Sequence, residues 1–352
     1  MNPENQTLGQ AIESQKDEFA SLIIDEQWAR NPQFLVRYGD AGRAKCAQDV
    51  KYNLAYLSQA IASSSPPLFV TYIDWVKVLF EGLKIPTREL AESLEITGNL
   101  LQQRFPDGAA IVQNFINLGL EHLAGAPEVI PSFFDELHPL VALARQYLDM
   151  LLRGERSAAG RLILDAVSDH ISVQDIYLRV FQPSQQELGR LWQINQLSVA
   201  QEHYCTAVTQ LIMSQLYANI FTTNRNGHCL VAACVGGELH EIGLRMVTDF
   251  FEMEGWDTYY LGSNTPASGI VQALVERKAD ILAISATMTF HVKLVADLIK
   301  QVRTVDTGWR IKILTGGYPF NIEPKLWQQV GADGTAPDAQ ECIAVANTLM
   351  AA

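Results

Sequence analysis

HCLVAACVGGELHEIG, residues 228–243, is where the chain changes its hydrophobic period. A continuous apolar run closes on two glycines, the form of a parallel strand buried on both faces. Helical spacing follows over 241–254, and WDTYYLG (256–262) reads as a strand. The alternation then repeats: a helix over 266–278, the strand DILAISATM (280–288), a helix over 291–304, the strand WRIKILTGG (309–317), and PKLWQQVGADG (324–334) as helix and turn. Strands alternating with helices of this length make βαβ units, so residues 225–352 are expected to form a doubly wound parallel sheet. Ligands of such sheets bind beyond the carboxyl ends of the strands. The residues at those ends are the ones to read.

Before residue 228 nothing alternates at period two. Residues 1–65 carry amphipathic helices, with Val50, Leu54, Leu57 and Ile61 on one stripe. SSSPP (63–67) breaks the pattern, LFVTYIDWVKVLFEGL (68–83) resumes it, and KIPTRELAESL (84–94) starts a further helix at Pro86 and Thr87. PDG (106–108) is a second stop, followed by helical patterns over 109–123 and 132–152. Three more helices are expected over 157–169, 172–193 (interrupted at Pro183) and 198–222. The expected class is therefore α/β plus all-α: an all-helical N-terminal domain (1–150), a helical bundle (151–224) and the doubly wound α/β domain (225–352).

The 352 residues hold 26 Lys+Arg against 39 Asp+Glu, a formal net charge of −13. Residues 1–150 alone carry 11 basic and 19 acidic side chains. No segment has the basic surface that phosphate neutralisation needs, so direct nucleic-acid binding is not expected. ELAESLEITGNLLQQRF (89–105) has the apolar rhythm of a helix-turn-helix, yet only Arg104 could serve a groove, and a bundle helix is the expectation. The polar start MNPENQTLGQ has no signal-peptide character, and no apolar run is long enough for a membrane span. Five scattered cysteines, with no CxxC pair, fit small buried hydrophobes in a cytoplasmic protein.

Chemistry gathers at the strand ends. His240 follows the first strand with Glu238 and Glu241 beside it; a carboxylate bonded to one ring nitrogen leaves the other a better metal ligand. Forty-one residues separate Gly243 from Ser285, and 28 separate Thr287 from the Gly316-Gly317 pair. Three strand ends thus present an imidazole, a hydroxyl and a backbone without side chains, which suits a large ligand with a central metal and a long tail. GGELHEIG is not G-x-G-x-x-G, so a dinucleotide is disfavoured.

This constellation resembles the cobalamin-binding domain of methionine synthase, cobalamin mutases and cobalamin photoreceptor regulators, whose pattern is D-x-H-x-x-G, about 41 residues, S-x-L, 26–28 residues and G-G. The resemblance implies a base-off cobalamin with His240 as lower axial ligand to cobalt. It also implies Glu238 as the orienting carboxylate, Gly243 at the domain's glycine, and a nucleotide tail running past Ser285, Thr287, Gly316 and Gly317. Glu238 stands where the family has Asp, and Thr287 where it has Leu.

LGRLWQINQLSVAQEH (188–203) carries a second resemblance. Its W-x9-E-H string is similar to the four-helix-bundle cap of light-sensing regulators that use adenosylcobalamin. That implies Trp192 over the upper ligand and Glu202 and His203 against the adenosyl group. Gln193 occupies the position where such sensors can carry a histidine.

The expectation drawn from that string is a sensory protein. Light would break the cobalt–carbon bond of adenosylcobalamin, and a shift of the cap would signal to a regulatory protein partner. The alternative is a corrinoid methyl carrier for a methyltransferase system, holding methylcobalamin. A mutase would need a (β/α)8 barrel, for which 150 helical residues do not suffice. The acidic N-terminal module (with Trp28, Tyr38, Tyr52, Tyr56, Phe69, Tyr72, Trp75 and Phe80) reads as an interaction or homodimerisation bundle. A second chromophore there, haem or bilin, is a lesser alternative with only His122, His138 and Cys46 to hold it.

Overall fold

The computed structural model describes residues 2–221, 224–306, 308 and 310–351. Two compact units form: residues 2–128 with 288–293 and 318–330, and residues 129–287 with 294–317 and 331–351.

The first unit is built on α1 (Pro3–Ser14), α2 (Lys16–Arg30), α3 (Gln33–Ala62), α4 (Pro66–Leu83), α5 (Thr87–Arg104) and α6 (Ala109–Gly125). Gly39 takes φ 63° and kinks α3, a conformation a Cβ would resist. Residues 89–105, with the helix-turn-helix rhythm, form the single helix α5, whose Leu90, Leu94, Ile96 and Leu101 are buried. Several aromatic residues of this region pack against one another. Phe69 is buried, Trp28 meets Phe34 edge-on at 5.2 Å, and Tyr56 stacks on Tyr72 at 3.8 Å with Phe290 edge-on at 5.5 Å. His122 pairs with Asp74 at 2.8 Å.

The second unit begins with an irregular stretch. A helix was expected over 132–152, but α7 spans Val141–Leu152, because Pro127, Pro131 and Pro139 deny the preceding backbone its donors. The division expected at 150/151 falls inside α7, whose Tyr147, Leu148 and Leu151 enter the core of the helical bundle that follows. That bundle continues through α8 (Arg156–Ser168), α9 (Val173–Asp175), a wide π turn (Ile176–Phe181), α10 (Gln182–Gln193), α11 (Val199–Gln215) and α12 (Tyr217–Ile220). Pro183 does not interrupt it: the π turn widens the chain first and places the proline in the opening turn of α10, where no N–H is required. The end of the expected 198–222 helix, Thr222, lies outside the described residues, as does Trp309 at the head of the expected 309–317 strand.

β1 (Cys229–Cys234), α13 (Ile242–Met253), β2 (Asp257–Gly262), α14 (Ala267–Arg277), β3 (Ile281–Ser285), α15 (Val292–Thr304), β4 (Lys312–Gly316), α16 (Tyr318–Ile322), α17 (Leu326–Val330), β5 (Gly334–Thr335) and α18 (Ala339–Ala351) complete the chain. The five strands are parallel in the order β2-β1-β3-β4-β5. Leu230, Ala232, Ile281, Ala283 and Leu314 pack with Phe251, Trp256 and Cys342 as its core. The expected doubly wound sheet is therefore present, joined to helical N-terminal structure. Its direction of winding reverses between β1 and β3, so the crevice opens at their carboxyl ends. Among the described residues no helix is long and apolar enough to cross a membrane.

Candidate functional site

Register brings the strand ends into one row: Cys234 lies opposite Ser285, and Ser285 opposite Gly316. Beyond β1 the chain turns through Gly237 at φ 80°, its N–H donating to Asn264 Oδ1 at 2.7 Å. That turn carries Glu238 inward, where it is fully buried. A buried carboxylate needs donors, and three converge on it. The backbone N–H of His240 donates to Oε1 at 3.0 Å, and the His240 ring nitrogen Nδ1 lies 2.6 Å from the same oxygen. Oε2 accepts the Thr287 N–H at 2.7 Å. One side chain therefore joins the loops that leave β1 and β3.

The longer Glu, in the position of the family's Asp, still reaches the ring. With Nδ1 engaged, Nε2 is the nitrogen left for a ligand. The His240 ring is 60% exposed, and Leu239 beside it is 70% exposed. The hydrogen bond that the His240 ring makes to Glu238 raises its pKa above the ordinary 6.5; burial opposes this, and the charges of Glu238 and Glu202 add to it. Among the described residues no cluster of three or more His, Cys, Asp or Glu could hold a bare ion. A single oriented imidazole can instead supply one ligand to a metal already held by a larger group.

Glycines leave room around this row. A Cβ on Gly236 or Gly243 would meet nothing within 4 Å, so the backbone there offers an open floor. Gly317 is different. It takes φ 100°, and a Cβ would sit 2.1 Å from the Ala286 carbonyl oxygen, while Ala286 N–H bonds to Gly316 O at 3.1 Å. Only glycine lets the exits of β3 and β4 run this close.

The helical bundle supplies the other face. Ser198 and Gln201 form a capping box that starts α11 and sets Glu202 in its first turn, with His203 next. Glu202 Oε2 lies 2.5 Å from His203 Nδ1, and its Oε1 accepts from Thr206 at 2.9 Å. Glu202 is close enough to His240 for its charge to act there. His203 is 75% exposed. Trp192, in the last turn of α10, is half-buried against the bundle core, and Gln193, which ends the helix, is buried.

Of the ten expected positions, Glu238, His240, Ser285, Thr287, Gly316 and Gly317 meet at one sheet edge, with Gly243 at the start of α13. Trp192, Glu202 and His203 stand on the bundle. One residue was not singled out as a site: Glu241, whose Oε1 accepts from Gln210 at 3.0 Å and whose Oε2 accepts from Ser263 N–H at 2.9 Å and Tyr260 at 3.1 Å. Its letter lies in the opening stretch, but its partners are remote in sequence.

Two family models match the chain: a B12 binding domain over residues 228–344 and a second B12 binding domain over residues 143–217. The second begins in α7, as the bundle does. The cofactor is a cobalamin. Dimethylamine corrinoid protein 3 of Methanosarcina acetivorans is 29% identical over 122 residues, 34% of this chain and 56% of that protein. Over most such relatives the chain thus spans about half of their length. Monomethylamine corrinoid protein 1 of the same organism is 24% identical over 200 residues, 55% of this chain and 91% of that protein. The solved monomethylamine corrinoid protein of Methanosarcina barkeri superposes with TM-score 0.52 at 21% identity, covering 60% of this chain and 100% of that one, which establishes the shared fold.

These relatives overturn the expectation of a light sensor with regulatory output. They are named as corrinoid proteins of methylamine systems, and the W-x9-E-H string does not outweigh that. The physical reason is that an aromatic and a carboxylate on a capping helix do not specify which upper ligand they cover.

Proposed function

We propose that this protein is a corrinoid methyl carrier that works with a methyltransferase. The observation that carries the reading is the end-to-end match of bundle and sheet together to a monomethylamine corrinoid protein, 91% of whose length is covered. A bound cobalamin would supply a cobalt centre able to accept and donate a methyl group. The chain's own residues do the rest. His240 would hold the cobalt through Nε2, with Glu238 fixing the ring's orientation through Nδ1. Ser285, Thr287, Gly316 and Gly317 accommodate the nucleotide tail, and Gly236 and Gly243 let the corrin approach the backbone. Trp192 shields the upper face, with Glu202 and His203 at its rim. The acidic helices of residues 1–128 serve as an interaction module for a protein partner.

The test uses the full chain loaded with methylcobalamin, mixed with methylamine-system methyltransferases and a thiol acceptor. The expected result is loss of protein-bound methyl, matched by methylated thiol, only when enzyme is present. No enzyme-dependent transfer to any acceptor overturns the carrier reading. The ligand assignment has its own readout. In protein grown on 15N-histidine, the axial-nitrogen splitting in the electron paramagnetic resonance spectrum of the reduced cobalt should be a doublet; a triplet, or an unchanged spectrum in His240→Ala, overturns it.

A further inference from the structure

Two strands leave the sheet into chain that belongs to the first unit. Residues 288–293 follow Thr287 directly, residues 318–330 follow Gly317 directly, and both segments pack among the N-terminal helices. α3 holds the first of them. Phe290 stacks on Tyr52 with ring centroids 6.1 Å apart and meets Tyr56 edge-on at 5.5 Å, while the Tyr56 hydroxyl donates to Met288 Sγ at 3.8 Å. Tyr52 and Tyr56 lie one turn apart on one face of α3, so a single helix presents both rings to this segment. α4 holds the second. Ser65, the buried N-cap of α4, donates to Glu323 Oε2 at 2.8 Å, and Phe320 of α16 is buried.

Each exit is also pinned where it leaves its strand. Glu238 Oε2 accepts the Thr287 N–H at 2.7 Å, and Gly317 runs close against the Ala286 carbonyl. The stretches 285–290 and 316–323 are thus fixed at both ends. A segment held at one end samples many conformations, and a ligand that needs one of them must order it, which weakens binding. An exit held at both ends meets its ligand already ordered. The hold comes from helices outside both matched B12 binding domains, residues 143–217 and 228–344.

We propose that Tyr52, Tyr56 and Phe290, with Ser65 and Glu323, are positioning residues for tail recognition: they fix the exits of β3 and β4 and so make this chain selective for a corrinoid that carries its nucleotide tail. This rests on the reading above, in which the tail runs past Ser285, Thr287, Gly316 and Gly317. The N-terminal helices then serve the cofactor as well as any protein partner.

The experiment titrates the full chain with hydroxocobalamin and with cobinamide, its counterpart without the nucleotide tail, reading each affinity from the shift in corrin absorption. Phe290→Ala removes both ring contacts, Phe290→Tyr keeps them, and Ser65→Ala removes the hydroxyl of the second hold. Hydroxocobalamin should bind about tenfold more weakly to Phe290→Ala and about fivefold more weakly to Ser65→Ala. Cobinamide binding should stay unchanged in both, and Phe290→Tyr should match the wild type. In the cofactor-free chain, amide hydrogen exchange over residues 285–290 should be faster in Phe290→Ala. Unchanged hydroxocobalamin binding in either alanine variant overturns the hold at that exit, as wild-type exchange over 285–290 does for the first. Equal weakening of both corrinoids overturns the proposal, because a damaged fold loses the two alike, and so does a Phe290→Tyr protein that behaves like Phe290→Ala. A wild type that binds both corrinoids equally sinks the tail assignment and the proposal with it; a wild-type preference for hydroxocobalamin that survives in the variants sinks the proposal alone. No readout requires methyl transfer, so a failed carrier assay leaves the result standing.

Discussion

Replacing Glu238 by glutamine changes one atom of a fully buried side chain that receives three donors. The amide oxygen can face only one of the two loops. If it keeps the His240 donors, the amide NH2 confronts the Thr287 N–H, donor against donor. Leaving a buried donor unpaired costs about 1–3 kcal/mol, and the bonds that survive fall from charge-assisted to neutral strength. Together these amount to about 3 kcal/mol. For a unit of about 200 residues, that lowers Tm by roughly 6–12 °C, measured by calorimetry on the cofactor-free chain. A second readout separates this site from general damage. The Glu238 bond is the largest cause of the raised His240 pKa, so Glu238→Gln moves the imidazole titration down, read by NMR. A raised basic group stabilises the fold below its ordinary pKa of 6.5 and loses that contribution as pH rises through the raised value. The loss of Tm is accordingly larger at pH 6 than at pH 8.5. A Tm change under about 2 °C together with an unmoved titration would refute the reasoning.

Gly317→Ala should destabilise the second unit by 2 kcal/mol or more in order of magnitude, since its Cβ would lie 2.1 Å from the Ala286 oxygen at φ 100°; chemical denaturation that finds wild-type stability removes the close-approach argument. Trp192→Ala should bind hydroxocobalamin normally by equilibrium titration but speed loss of the methyl group from the loaded protein to free thiol; equal weakening of both returns Trp192 to core packing. Burial pushes the Asp249 carboxyl up to about 6, against the pull of Tyr177 and Arg245 and with a further push from Glu252. The folded state then keeps a proton that the unfolded chain releases, so stability falls as pH rises from about 4 to about 6 and is flat above, by at most about 3 kcal/mol. In Asp249→Asn, whose oxygen still accepts from Tyr177, melting curves should lose that slope; an unchanged slope would place the titration elsewhere.

The change of period at residue 228 determined the doubly wound domain, because strands buried on both faces need unbroken apolar runs and crossover helices do not. The same economy made His240 legible: a histidine just past such a strand, at fixed spacing from Ser285 and Gly316-Gly317, is placed by the sheet itself. Short or partner-dependent features were not legible. β5 is two residues long and exists only because β4 offers an edge to pair with. The start of the bundle at Val141 depended on prolines ending one pattern and on Tyr147 and Leu151 finding a core further along the chain. The letters W-x9-E-H pointed to a cap but could not name the group it would cover, and the corrinoid relatives redirected that reading from light to methyl transfer. Glu241 was visible as a letter and mute as a role. Its partners Gln210 on α11, Tyr260 on β2 and Ser263 in the loop after β2 lie 19 to 31 residues away, and only the folded chain brings them to one carboxylate.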